Sequence, residues 1–136
     1  MIEELDRAQI DDLLGAQVVG RIGCHADGVT YVVPVIYAYD GEAFFVYTVE
    51  GRKVRMMRAN PEICFEVDEY EGGGWRSAIV QGRYEELDEA GAERALALLG
   101  ERFASRGING RRPRAEGTPV AFRIVVGEVS GRAVRR

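Results

Sequence analysis

Four cations, Arg52, Lys53, Arg55 and Arg58, stand within seven positions in the stretch TVEGRKVRMMRANPE. The 136-residue chain around them is acidic, with 18 basic and 22 acidic residues and a formal net charge of -4. Its pI is about 5.1, and Lys53 is its one lysine. The segment GRKVRMMRAN has helical character, with Val54 and Met57 turned toward the protein. A helix that begins near Gly51 carries Arg52 and Lys53 in its first turn. There the helix dipole disfavours cations by several tenths of a kcal/mol each, roughly. An anion at that N-terminus reverses the sign, because free N–H groups and two cationic side chains then converge on it. A phosphate is the natural candidate. The ordinary alternative is a solvated face whose four cations pair with some of the acidic residues.

Other chemistry-bearing residues are sparse. Cys24 and Cys64 both lie in apolar, strand-like runs and read as reduced core or near-core thiols. Cys24-His25 supplies two adjacent metal ligands with no second pair at the usual spacing, and His25 is the one histidine, so no zinc site is expected. No Ser-His-Asp set or dinucleotide fingerprint is present, and Lys53 follows an arginine where a P-loop needs glycine. His25, in CHADG, reads as an exposed bystander.

The elements that must position the cations follow from periodicity and turn chemistry. Asp6 and Gln9 form a capping box ahead of a short helix with an Ile10, Leu13, Leu14 stripe, ending at Gly15. QVVGRIG, a turn at HADG, the long run VTYVVPVIYAY, an Asp40-Gly41 turn and EAFFVYTV read as an antiparallel meander. Both faces of the long run are apolar, and Pro34 at its centre confines it to an edge, a bulge or a place where pairing splits. After the basic helix, stopped at Pro61, come the strand EICFEVDE, a flexible EYEGGG loop and the strand WRSAIVQGRYEEL. Asp88 caps one long helix with Ala92, Ala95, Leu96, Leu99 and Phe103 on one face. Arg106 to Gly117 reads as a mobile loop, and PVAFRIVV and EVSGRAV as the last two strands. This order predicts a mainly β fold, an antiparallel barrel, closed or partly open, with flanking helices. Residues 1–136 fit one domain. No apolar run is long enough to span a bilayer, and the start MIEELDRAQIDDLL lacks the basic and apolar regions of a signal peptide, so a cytoplasmic protein is expected.

The stretch GEAFFVYTVEGRKVRMMRANPEICFEV resembles the FMN-binding split-barrel proteins related to pyridoxamine 5'-phosphate oxidase. In that family an aromatic-Thr pair ends a strand, an Arg-Lys pair opens a short helix and Asn-Pro closes it. Tyr47-Thr48, Arg52-Lys53 and Asn60-Pro61 match these. VVPVIYAYDG is similar to the strand along the flavin ring, and WRSAIVQGRYEEL to the next long strand, with Ser77 at a cofactor-contacting position and Gly82 keeping the backbone close. The likeness runs over about residues 17 to 88 and is nearest to the nitroimidazole reductase branch. The chain lacks the C-terminal Trp and Arg elements with which the oxidase binds its pyridoxal substrate.

The resemblance implies an FMN cofactor. Arg52 and Lys53, with the Thr48 hydroxyl and Arg76 as a third cation, would hold its phosphate. Val33, Pro34, Val35 and Tyr37 would form the apolar slot for its ring, since a proline-interrupted strand leaves main-chain groups available to a ligand. It also implies a homodimer with two flavin sites built across the interface. The activity expected is reduction of a small electrophile, a quinone or nitro compound, with electrons from NAD(P)H. Two further readings remain: a flavin or deazaflavin (F420) binding protein without turnover, and a nucleic-acid-binding barrel, against which the acidic pI weighs.

Overall fold

The structure, a computed structural model, describes residues 1–107 and 116–135. Eight strands join in one antiparallel sheet of order β3-β2-β6-β7-β8-β5-β4, with β1 paired to the far end of β8. The strands are β1 (Ile2–Glu4), β2 (Val19–Ala26), β3 (Val29–Ile36), β4 (Ala38–Tyr39), β5 (Ala43–Val49), β6 (Glu62–Glu71), β7 (Gly74–Glu86) and β8 (Pro119–Val134), and the helices are α1 (Arg7–Ala16), α2 (Arg52–Ala59) and α3 (Glu89–Ser105). The two ends of the sheet, β3 and β4, are successive pieces of one chain segment. The sheet therefore curls into a barrel that stays open where they part, the split barrel expected.

Inside the curl Tyr37, Phe44, Phe65 and Phe122 are fully buried, with Phe44 and Phe65 centroids 4.3 Å apart. α1 adds Ile10, Leu13 and Leu14 to this cluster and α2 adds Val54, Met56 and Met57, so helices plug the barrel. α3 packs outside, over β5 and β8, through Ala95 and its neighbours Ala43, Phe45 and Ala121.

The local signals act largely as predicted. Asp6 and Gln9 form the reciprocal capping box. Asp88 accepts from the Gly91 N–H at 2.9 Å to cap α3. Asp27-Gly28 makes a two-residue hairpin turn with both φ positive, at 51° and 77°, the geometry that matches strand twist.

Several expectations are corrected. α1 runs through Gly15 to Ala16, because the Gln17 N–H still reaches the Leu13 carbonyl at 3.3 Å. The run 29–39 breaks at Tyr37 into β3 and β4, and the two last strands are one, β8, with an irregularity opposite Val80–Gly82. EYEGGG is a tight turn: Gly72 and Gly73 take φ of 61° and 81° between the paired residues Glu71 and Gly74. β1 has no apolar alternation to announce it. The expected loop 106–117, with Arg111, Arg112 and Arg114, lies for the most part outside the described residues. Among the described residues no helix is long and apolar enough to cross a membrane.

Candidate functional site

β4 pairs with β5 through Ala38–Phe45 and Tyr39–Phe44. Carried onward, that register would set Ile36 opposite Tyr47 and Val35 opposite Thr48. The ladder stops instead. The Tyr37 N–H bonds to the Val18 carbonyl at 3.0 Å, β3 pairs with β2, and Val46 to Val49 pair with β8. Pro34 sits in the middle of the diverging strand, where a missing N–H costs the ladder nothing. Two strand edges thus face an opening whose apex is Tyr37-Ala38. Backbone groups along an unpaired edge need partners.

α2 follows β5 directly and lies at the wide end of this opening. Gly51 is its N-cap and offers no side chain, and no acidic residue stands in its first turn. The Arg52 guanidinium reaches across to β3, 4.8 Å from the centroid of the Tyr31 ring. Among the described residues Arg52, Lys53 and Arg55 make no ion pair. Lys53 is half-buried, and burial pushes its pKa down from the ordinary value. Arg58 differs: its Nε donates to Glu86 at 2.8 Å and Nη1 to Glu50, and it is a structural clasp from α2 to β7.

Each sequence-predicted site residue has a definite place. Val33 and Val35 turn into the barrel, with Val35 in the core, while Pro34 is exposed on the opposite face. Thr48 is half-buried on the β5 lip. Tyr47 contributes backbone to that lip, but its ring packs with Phe45 and Ala121 in the cluster beneath α3. The Tyr37 side chain is buried, edge-on to Phe44 and Phe65, and its hydroxyl donates to the Leu14 carbonyl at 2.7 Å. Its ring belongs to the core, leaving the backbone at the apex of the split.

Arg76 and Ser77 are not brought to α2. Tyr31 pairs with Cys24, level with Ile63 and Gly82 across β6 and β7. Ser77 lies five residues along β7 from Gly82, about 16 Å at the strand rise. Arg76 is held there by Glu69, at 3.0 Å from Nε, and by Asp12, at 2.9 Å from Nη1. Gly82 does keep backbones close: a Cβ there would lie 2.6 Å from Ile124 Cγ2 and 3.1 Å from the Val125 carbonyl. His25 is the penultimate residue of β2, exposed, with Nδ1 2.9 Å from the Thr30 hydroxyl. Cys24 and Cys64 are free thiols, and burial pushes both pKa values up. Among the described residues no cluster of three or more His, Cys, Asp or Glu could hold a metal ion.

Sequence reasoning passed over Tyr31. Its signal was an aromatic residue on the same strand face as Val33 and Val35. It had no way to show that the first turn of α2 would come to rest against that ring.

The sequence profile of the pyridoxamine 5'-phosphate oxidase family matches residues 6–133. This chain belongs to that family. A FAD-binding protein from Mesorhizobium loti is 34% identical, superimposes with a TM-score of 0.82 and is matched over 100% of this chain and 98% of that one. A proposed 5-nitroimidazole antibiotic resistance protein from Bacteroides thetaiotaomicron is matched over 98% of this chain and 89% of its own, with a TM-score of 0.74. At 16% identity that likeness is one of fold. An uncharacterised protein of Rhizobium meliloti is 30% identical over 87 residues, which are 63% of this chain and 58% of that protein. Within the family, the split and the uncapped start of α2 are where, among this chain's described residues, unpaired backbone and unpaired cations meet.

Proposed function

We propose that this pyridoxamine 5'-phosphate oxidase family member is an FMN-dependent oxidoreductase whose cofactor lies in the split between β3 and β5. One observation carries the reading: Lys53, half-buried and without a carboxylate partner among the described residues, stands beside Arg52 at a helix N-terminus with no side-chain cap. A partly desolvated ammonium in an acidic chain calls for an anion, and the N–H groups of the first turn call for the same one. Arg52, Lys53 and the Thr48 hydroxyl would hold the phosphate. The Pro34 carbonyl on one lip and the Tyr47 main chain on the other offer backbone partners to the flat ring, while the main chains of Val33 and Val35 bond to β2 and that of Thr48 to β8.

When bound, the flavin supplies two-electron transfer between a reduced nicotinamide and a small electrophile, such as a quinone or nitro compound. The protein's part is to orient the ring and keep its phosphate anchored. Because Arg76 and Ser77 stand far from α2 in the same chain, their contact with the cofactor requires a second copy. The reading therefore includes a homodimer with sites shared across the interface. It also places the protein in the cytoplasm, where reduced nicotinamides are made and thiols such as Cys24 and Cys64 persist. The likeness to a FAD-binding protein favours one second reading, FAD in the place of FMN.

Mass and absorbance of the small molecule released by heat denaturation separate FMN, FAD and a deazaflavin, and reduction by NADH or NADPH without air separates an enzyme from a carrier. The phosphate assignment has its own test. Arg52→Ala or Lys53→Ala each weakens FMN by roughly ten- to a hundredfold, the scale of a lost hydrogen bond to a charged group, and the double variant by somewhat less than the product. Riboflavin, which has no phosphate, barely changes. A double variant that keeps the parent's affinity for FMN, or loses both ligands equally, removes the assignment.

A further inference from the structure

Tyr31 has no part in the reading above, yet its ring carries the Arg52 guanidinium at 4.8 Å. The ring is fixed from two sides. Its strand is zipped to β2, where Tyr31 faces Cys24, and its side chain packs against the main core. Arg52 is the opposite: exposed on the first turn of α2, with a long flexible side chain and no ion pair among the described residues.

The kind of partner matters. A guanidinium has five N–H donors in its plane and a face that stacks on aromatic rings. Arg58, on the same helix, spends its in-plane donors on Glu50 and Glu86. A ring satisfies the face of Arg52 and leaves its charge and its in-plane donors unspent. It also spans the wide end of the split, from α2 to β3, where a phosphate held by the α2 N-terminus would sit.

We infer that Tyr31 is a positioning residue for the anion site: it holds Arg52 by its face, so that the guanidinium is pre-ordered for a phosphate without being neutralised. The inference rests on the reading of Arg52 and Lys53 as the flavin phosphate site. Its consequence is selectivity between phosphorylated and unphosphorylated flavin, since Tyr31 acts through Arg52 and has no call on the ring of the cofactor.

The test is titration of the full-length protein with FMN and with riboflavin, followed by flavin fluorescence, for the parent, Tyr31→Phe, Tyr31→Leu, Arg52→Ala and the Tyr31→Leu/Arg52→Ala double variant. Tyr31→Val, which keeps strand propensity, replaces Tyr31→Leu should the latter not fold. Tyr31→Leu weakens FMN by about two- to fivefold, the range of an exposed cation–π contact, and leaves riboflavin unchanged. Tyr31→Phe, which keeps the ring, stays near the parent. The double variant is no weaker than Arg52→Ala alone. Equal losses of FMN and riboflavin, or a full additional loss in the double variant, overturn the role of Tyr31 while leaving the phosphate site standing. An Arg52→Ala variant with undiminished FMN affinity overturns the phosphate site and the role of Tyr31 together.

Discussion

The Tyr37 hydroxyl donates to the Leu14 carbonyl at 2.7 Å in a site closed to water, which ties the break between β3 and β4 to the end of α1. Burial pushes its pKa well above the ordinary phenol range, so it is a donor at every working pH. Tyr37→Phe keeps the edge-on packing against Phe44 and Phe65 but leaves a buried carbonyl without its partner, at a cost of about 1 to 3 kcal/mol. Urea unfolding should show that loss, with riboflavin affinity within about twofold of the parent. A large loss of flavin with no loss of stability would instead put the side chain at the cofactor. The basic cluster divides at the same scale. That Arg52 and Lys53 break the dipole rule was legible from the helix start alone. That Arg58 is a clasp was not, because Glu86 stands 28 positions away and reaches it only through the fold.

At the scale of elements, backbone proximity decides what pattern alone leaves open. The run 29–39 reads as one strand because both of its faces stay apolar throughout, and although Pro34 signals a split, the break at Tyr37 is set by a tertiary bond to Val18. Gly82 of β7 was more readable, through the family resemblance. Gly82 lies against the Ile124 side chain and the Val125 carbonyl, and since a carbonyl in a paired strand has nowhere to move, Gly82→Ala is expected to cost about 1 to 3 kcal/mol by overpacking. A thermal midpoint equal to the parent's would show that β8 can yield. The outer face of β6 carries a pH dependence. Arg21 Nη1 lies 3.5 Å from Glu66 and 3.4 Å from Asp68. Burial first, then the hydrogen bond and charge of Asp68, push the Glu66 carboxyl up from 4.5 to about 7 against the pull of Arg21. A carboxyl whose pKa rises on folding stabilises the fold below its unfolded value, and that contribution is lost as pH climbs through its folded value. Glu66→Gln should therefore gain stability relative to the parent as pH rises from about 4.5 to above about 7, the interval set by those two values. Urea midpoints that run parallel across this interval would mean that Glu66 titrates as in the unfolded chain.

At the scale of the molecule, the helices leave one side of the barrel bare. α1 and α2 feed the interior and α3 covers β5 and β8, so among the described residues nothing covers the outer face of β3, β2, β6 and β7. Val32 is 64% exposed there and Ile36 51%, beside Pro34 and Val19, and Ile79 is exposed on β7. The apolar character of both faces of this strand was visible in the sequence. What was not visible is that the described helices cover one face alone, because only the curled sheet shows which side they take. Exposed apolar side chains along an uncovered strand mark an association surface, and a second copy would account for them together with the distance of Arg76 and Ser77 from α2. A C2 pair would bring equal patches together. We expect a sedimentation mass twice 15.1 kDa at micromolar concentration. Val32→Asp with Ile36→Asp, which buries carboxylates in that contact, should return the mass of one chain while circular dichroism stays that of the fold. It should also weaken FMN, although Tyr31, Arg52 and Lys53 are untouched, because the site loses what the partner contributes. A parent that sediments as one chain rules out the dimer, and a monomeric variant with undiminished FMN affinity confines the cofactor site to the split of a single barrel.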